Sequence, residues 1–446
     1  MSLAETPAVQ TGSPWRSSRW LLADSLVRVV ATTAVAVWMA RQLGPAEFGV
    51  LNFASAMTAI FTVLAALGLE VPAVLWLTRG GNPKRGMATL LALRLGAAML
   101  ALALALPLAA LLLAGDAVAR TVTWVSLISV LAAVPTVVDL GFKSRVEGVA
   151  PAKARSLAGL GGAAGRVAVL AAGGGLLALA WVLVAETLLT ALLLWRAWAR
   201  AAPTAPTAPA DAPRLRDADP ALAAKLLRDC MPYLCINAAT MLYMKADLVL
   251  VGHLASHLQA GLYALAQKMS EVLYIVPVVL ADSIYPRLAQ RAGATAAADG
   301  QLLFDLVAAA AISLVLAATV LAPGLVTLLF GEHYAGSAEL FRWHAWTCLP
   351  WALEIARVRW LATTGQSKLA WPSAIIGAAV SLAANAWAVP RYGAAGAVGA
   401  ALLAFTCMGL LSSWMIPGLA PVARMQWRAL WPWGRLLRAW QTAAPR

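Results

Sequence analysis

Charge is scarce in this sequence: 12% of its 446 residues are charged, about half the roughly 25% of an ordinary soluble domain. So few charges cannot cover a water-facing surface, which excludes a soluble globular protein. Acids are the scarcer sign, 20 against 34 basic residues, and the formal net charge is +14. A basic balance of that size suits nucleic acid only on a soluble face, and no such face is available, so no nucleic-acid partner is expected. Cysteine is equally sparse. Cys230, Cys235, Cys348 and Cys407 form no CxxC pair, which argues against a disulfide framework or a cysteine metal knuckle and leaves them as packing residues. The chain has no Gly-Lys dipeptide and hence no P-loop, and no HExxH pair for a metal. Neither a cofactor nor a metal is expected.

What is abundant is apolar sequence, 61% of the residues. A helix crossing a hydrocarbon core about 30 Å thick needs about 20 apolar residues at 1.5 Å each. Runs of that kind lie near 20–39, 50–70, 88–113, 119–140, 157–176, 178–196, 231–252, 260–284, 303–329, 341–362, 369–389 and 395–417. The first run contains Asp24 and Arg28 and is longer than the core of a cleavable signal, so it is read as a retained span. The expected fold is an all-α polytopic membrane protein of 12 transmembrane helices.

Basic residues orient the spans, because cytoplasmic loops carry the excess of lysine and arginine. With both termini inside, the inner segments hold 23 of the 34 basic residues, and the outer loops hold Arg41, Arg120, Arg342 and Arg391 alone. An invented or missing span near the middle would destroy that bias. The stretch 199–229 contains APTAPTAPADAP, which proline bars from a helix interior and which reads as an extended cytoplasmic linker. It separates an N-terminal six-helix lobe, 1–198, from a C-terminal one, 230–418. The tail, 419–446, alternates Arg424, Arg428, Arg435 and Arg438 with Trp427, Trp431, Trp433 and Trp440, as suits a segment lying on an anionic inner leaflet.

The halves also resemble each other. Gly49 opens GVLNFA and Gly261 opens GLYALA; Glu70 and Asp282, then Arg79 and Arg291, follow at matched spacings, and Gly115 precedes Pro135 much as Gly331 precedes Pro350. Six spans followed by six of the same orientation predict two lobes related by an axis along the membrane normal, with a site between them. Pro107, Pro135, Pro277, Pro323 and Pro350 fall inside spans and are expected to bend them. His253 and His257 are placed in an outer loop as a solvated pair.

A charge at the bilayer centre costs roughly 3 kcal/mol on insertion scales, so ionisable groups inside spans must face a partner, a cavity or the interface. The basic ones are Arg28, Arg94, Arg166, Lys245, Lys268, Arg357 and Arg359, and the acidic ones Asp24, Glu70, Asp139, Glu186, Asp247, Glu271, Asp282 and Glu354. Asp24 and Arg28, Lys268 and Glu271, and Glu354 and Arg357 are three or four apart, so each pair shares a helix face. These pairs either pin helix to helix or line the site. Asp247, Asp139 and Glu186 are candidates for an isolated acid that takes up H+ or Na+. Arg359, near the inner interface, is read as snorkelling.

Several segments carry a family likeness: RQLGPAEFGVLNFA after span one, DLVLVGHLASHLQAGLYALAQKMSEVLYIVPVVL across spans seven and eight, LFGEHY after span nine, and TTGQSK with VPRYGAAGAVGAAL around span eleven. Over nearly its whole length the chain resembles the polysaccharide or O-antigen lipid-linked oligosaccharide flippases of the multidrug/oligosaccharidyl-lipid/polysaccharide exporter superfamily. That resemblance implies a V-shaped two-lobed transporter, not an enzyme, that moves undecaprenyl-diphosphate-linked oligosaccharide from the cytoplasmic to the outer leaflet of the bacterial cytoplasmic membrane by alternating access. It also implies a polysaccharide polymerase or export machinery downstream. Cations on the first and eighth spans bind phosphate in such proteins, which points to Arg28 and Lys268, with Asp24 and Glu271 holding them while the site is empty and Arg94, Arg166 and Lys245 behind them. A multidrug or organic-cation antiporter of the same superfamily is the alternative. A membrane glycosyltransferase or polymerase fits less well, since the outer loops are short.

Overall fold

In a computed structural model the described backbone covers 14–79, 82–201, 215–290 and 296–437, with side chains described from residue 34 onward except at 201, 286–287, 289–290 and 296–298. Every regular element there is helical. The first half runs α1 (Pro14–Ala66), α2 (Glu70–Thr78), α3 (Pro83–Leu112), α4 (Ala117–Ala132), α5 (Val138–Ser144), α6 (Val149–Ala171) and α7 (Leu176–Ala201). The second runs α8 (Pro220–Leu254), α9 (His257–Leu273), α10 (Ile275–Gln290), α11 (Ala296–Phe330), α12 (Ala335–His344), α13 (Cys348–Thr363), α14 (Trp371–Thr406), α15 (Ser412–Met415) and α16 (Ala420–Ala429). Helix starts carry their own caps, since a side-chain oxygen satisfies backbone N–H groups that the helix leaves unpaired. Asn82 Oδ1 accepts from Lys84 N at 3.1 Å ahead of α3, Asp116 Oδ1 from Ala119 N at 2.8 Å ahead of α4, and Asp219 Oδ1 from Ala221 N at 2.9 Å ahead of α8.

Among the described residues, eight helical stretches are long and apolar enough to cross a membrane. One of them, Ser367–Met415, holds two legs, because α14 breaks at Gly393 (φ 58°). Similarly, α1 breaks at Gly44 (φ 70°) ahead of Pro45. These left-handed angles suit glycine, which has no Cβ to clash. The outer connections expected between spans one and two and between spans eleven and twelve are thus single-glycine hinges rather than loops. Pro135 sits in a 3-10 turn between α4 and α5, and α3 and α11 run on through Pro107 and Pro323. The stretch read as linker is shorter than expected: α7 reaches Ala201 and α8 starts at Pro220, with 202–214 outside the described residues. His253 and His257 end α8 and begin α9, so neither lies in an open loop.

The halves meet at the end of the molecule that holds Gly49. A Cβ built on Gly49 would stand 1.8 Å from the His257 carbonyl oxygen, and one on Gly261 would stand 1.8 Å from the Pro45 carbonyl oxygen. Gly49 and Gly261 are the residues aligned between the two halves, and Pro45 and His257 precede them by the same step. Mutual contact of equivalent residues is the geometry of a two-fold axis passing between them. A second symmetric feature lies at the opposite, basic end. There the aligned acids Glu70 and Asp282 pair with Lys143 at 2.7 Å and Arg359 at 2.6 Å. The largest apolar core includes Phe48, Phe53 and Met57 of the first half with Val251, Tyr263, Tyr334 and Phe341 of the second, so the seam is itself core.

Candidate functional site

At the basic end the halves part around a cavity of about 1290 Å³, lined by α2 of the first half and by α8, α13 and α14 of the second. That exceeds the 300–1,000 Å³ of a pocket for a drug-sized ligand. Trp76, Tyr233, Tyr243, Trp351 and Trp371 give it aromatic walls; Arg79, Lys225, Arg228 and Lys368 stand around it with Asp229. All four cations are exposed: Arg79 caps the end of α2, Lys225 and Arg228 lie near the start of α8, and Lys368 lies in the 3-10 turn Ser367–Leu369 ahead of α14. From the sequence they were visible only as markers of topology; the signal that identifies them is their position beside aromatic residues from three separate stretches of the chain. An aromatic face stacks on a sugar ring or other flat apolar surface, and a rim of positive charge attracts phosphate.

A second group of charges links the halves. Arg166 on α6 pairs with Glu186 on α7 at 2.5 Å, each about a quarter exposed (22% and 24%). Gly162 makes room for that carboxylate, since a Cβ there would lie 2.1 Å from Glu186 Oε2. Lys245 on α8 pairs with Glu271 on α9 at 2.9 Å, with 25% and 31% exposure. Lys268 is exposed and sits over the Phe48 ring, its ammonium 5.0 Å from the centroid, within electrostatic reach of Lys245, Glu271 and Arg166. The expected Lys268 and Glu271 pair is therefore not formed, because Lys245 on the neighbouring helix takes the carboxylate. The structure brings five sequence candidates together here: Arg166, Glu186, Lys245, Lys268 and Glu271. Glu186, bound to an arginine, is not an isolated acid.

Other candidates lie elsewhere. The side chains of Asp24 and Arg28 are outside the described residues. Arg94 donates to Thr136 Oγ1 at 3.1 Å in a 280 Å³ recess of the first half, which it shares with Glu70, Asp139, Lys143 and Arg155. Asp139 is likewise not isolated, having Lys143 at 3.3 Å and Arg155 at 2.9 Å. Asp247 is buried and fully engaged: Tyr263 Oη donates to it, as do Leu248 N at 2.7 Å and Gln267 Nε2 at 3.4 Å. The Glu354 and Arg357 pair forms as expected; Glu354 lines the cavity at the basic end, and Arg357 behind it pins helices together. Arg357, 0% exposed, donates to Ser412 and Ser413 at 2.7 Å and to the Met408 carbonyl at 3.0 Å. Arg359 binds Asp282 and does not simply snorkel. The sequence reading missed Asp305, two residues inside span nine; Arg435 of the tail grips it with two bonds of 2.7 and 2.8 Å. No cluster of three or more metal-type ligands occurs among the described residues.

Residues 38–339 match the profile of a family described as polysaccharide biosynthesis protein. No curated protein matches. Among solved structures the chain resembles "Lipid II flippase MurJ, inward closed conformation", with TM-score 0.71 at 10% identity over 96% of this chain and 93% of that one. It resembles the inward-facing form of a multidrug resistance MATE family transporter with TM-score 0.63 at 13% identity, covering 94% of this chain and 96% of that one. Against an outward-facing MATE form the TM-score is 0.53 at 14% identity, over 95% and 97%. At such identities the likeness speaks for fold. The chain belongs to the polysaccharide biosynthesis protein family and has the fold of the transporters of the multidrug/oligosaccharidyl-lipid/polysaccharide superfamily.

Proposed function

We propose that this chain flips an undecaprenyl-diphosphate-linked oligosaccharide across the bacterial cytoplasmic membrane by alternating access, with both termini cytoplasmic and without covalent chemistry. The observation that carries this reading is a cavity at the basic end, rimmed by cations and walled by aromatic rings, while the halves meet in backbone contact at the end that holds Gly49. The basic end faces the cytoplasm by the distribution of lysine and arginine, so the cavity is open to the leaflet where such lipids are assembled. Arg79, Lys225, Arg228 and Lys368 receive the diphosphate. Lys268, Lys245, Arg166, Arg94 and Arg28 carry it onward, while Glu271, Glu186 and Asp24 neutralise cations between loads. Asp247 is the acid proposed for ion coupling, ahead of Asp139 and Glu186, because it has no cationic partner in contact with it. An organic-cation antiporter is disfavoured by the four cations at the rim, which would repel its substrate at the point of entry.

Deleting the gene tests the assignment. Undecaprenyl-linked repeat units are expected to accumulate on the inner leaflet, and Arg28→Ala or Lys268→Ala should abolish surface polysaccharide while the protein still reaches the membrane. Unchanged glycolipids with new drug sensitivity would overturn it in favour of the antiporter, and failure to add the first sugar would mark an enzyme.

A further inference from the structure

The sealed end carries a second pair of symmetry-related contacts, and the two members differ in chemistry. Arg41 of the first half donates from Nε to the Leu329 carbonyl at 2.7 Å and from Nη2 to the Leu328 carbonyl, at the C-terminus of α11. His253 of the second half makes the reciprocal contact: its Nδ1 lies 2.8 Å from the Leu112 carbonyl, the last residue of α3. A carbonyl only accepts, so this nitrogen carries the proton. Arg41 precedes Gly49 as His253 precedes Gly261, and Leu112 precedes Gly115 as Leu328 precedes Gly331, so both partners of each contact are aligned between the halves.

A cation at a helix C-terminus is stabilised by the unpaired carbonyls and the helix dipole. Arginine holds its charge at every physiological pH, whereas an imidazole gains or loses it between pH 5 and 8. One of the two latches is therefore made by a guanidinium and the other by an imidazole. The charged groups around them can be named. On the His253 side stand Asp116, which caps α4 and lies 3.5 Å from His257 Nε2, and Arg120, which packs over Trp124. His257 begins α9, its ring is edge-on to Phe53, and its buried Nδ1 has no partner, so adding a proton there is opposed while Asp116 favours it. On the Arg41 side, Glu332 and His333 follow the end of α11.

We propose that His253 makes this seam a pH-sensitive latch: protonation at that end strengthens its hold on α3 and keeps the halves closed there, and deprotonation loosens it, while Arg41 holds α11 at any pH. Sealing that end keeps the cavity at the basic end the accessible one, so acid outside would favour the inward-open state. The inference depends on the seam alone and stands whatever the substrate.

The test is a distance measurement in nanodiscs by double electron–electron resonance. Nitroxides are placed at Val118→Cys in the first half and Tyr392→Cys in the second, both exposed, with the native cysteines replaced by alanine. Lowering the pH from 8 to 5.5 should raise the short-distance population several-fold. His253→Gln, which keeps a donor without the charge, should remove the response and leave the seam loose. His253→Arg, which copies Arg41, should hold the short distance at both values. A wild-type chain with no pH response, a His253→Gln chain that keeps it, or loss of the response in His257→Gln alone would each overturn the proposal.

Discussion

Among single residues, spacing along one helix identifies partners well only when no neighbouring helix competes. Glu354 and Arg357, three apart on α13, do pair, while Ser412 and Ser413 accept from Arg357 Nη1, the Met408 carbonyl accepts from Nη2 and Ser373 faces the acid. Lys268 and Glu271, also three apart, do not, because Lys245 reaches the same carboxylate from α8. That competition depends on how α8 and α9 lie side by side, which no local pattern contains. The rim cations were legible as charges and illegible as a site, since their convergence requires the end of α2, the start of α8 and the turn ahead of α14 to be brought together. Breaking a buried pair leaves an uncompensated charge, which costs about 3–5 kcal/mol. Arg357→Ala is therefore expected to lower the apparent melting temperature of purified protein markedly. Arg359→Ala removes a partly exposed pair worth under about 1 kcal/mol, and should leave the melting temperature nearly unchanged. Equal losses in both variants would contradict the pinning role of Arg357.

At the level of elements, the apolar runs predict most helices to within a few residues, but joints between them are less legible. RQLGPAEFG reads as a loop because Gly-Pro ends most helices; here Gly44 turns the chain and α1 resumes at once. The tail shows the reverse: its alternating Arg and Trp pattern places Trp427, Trp431 and Trp433 on the surface, while the clasp of Arg435 on Asp305 depends on where α11 lies. The seam gives the sharpest test among the elements. Gly49→Ala adds a methyl where the His257 carbonyl oxygen already stands, at 1.8 Å, and backbone cannot step aside as a flexible side chain does. The halves must separate at that end. Labelling of a cysteine placed at Val251, which the closed seam buries, by a membrane-impermeant maleimide from outside is expected to quicken in Gly49→Ala and in Gly261→Ala alike, since the two glycines are equivalent. Unchanged labelling would show that the contact is not a seal.

For the whole molecule, duplication was legible from short matched segments, and its geometry explains why those segments matter: Gly49 touches Gly261, Arg41 and His253 answer each other across the seam, and Glu70 and Asp282 hold matching cations at the far end. A protein so built has two similar halves about a shared axis, in backbone contact at the end that holds Gly49 and parted around a cavity at the basic end. The cavity could not be read from sequence, because its walls come from four helices spread between residues 72 and 408. Its most direct test is flipping in proteoliposomes that contain a polyprenyl-diphosphate-linked oligosaccharide, scored by the fraction of headgroup open to a membrane-impermeant sugar-modifying reagent. The wild-type chain should expose headgroup from the inner leaflet as well as the outer, and alanine at Arg79, Lys225, Arg228 and Lys368 together should confine exposure to the outer leaflet. An inner-leaflet pool that stays protected with correctly folded wild-type protein, or that is exposed equally by the four-alanine variant, would contradict the account.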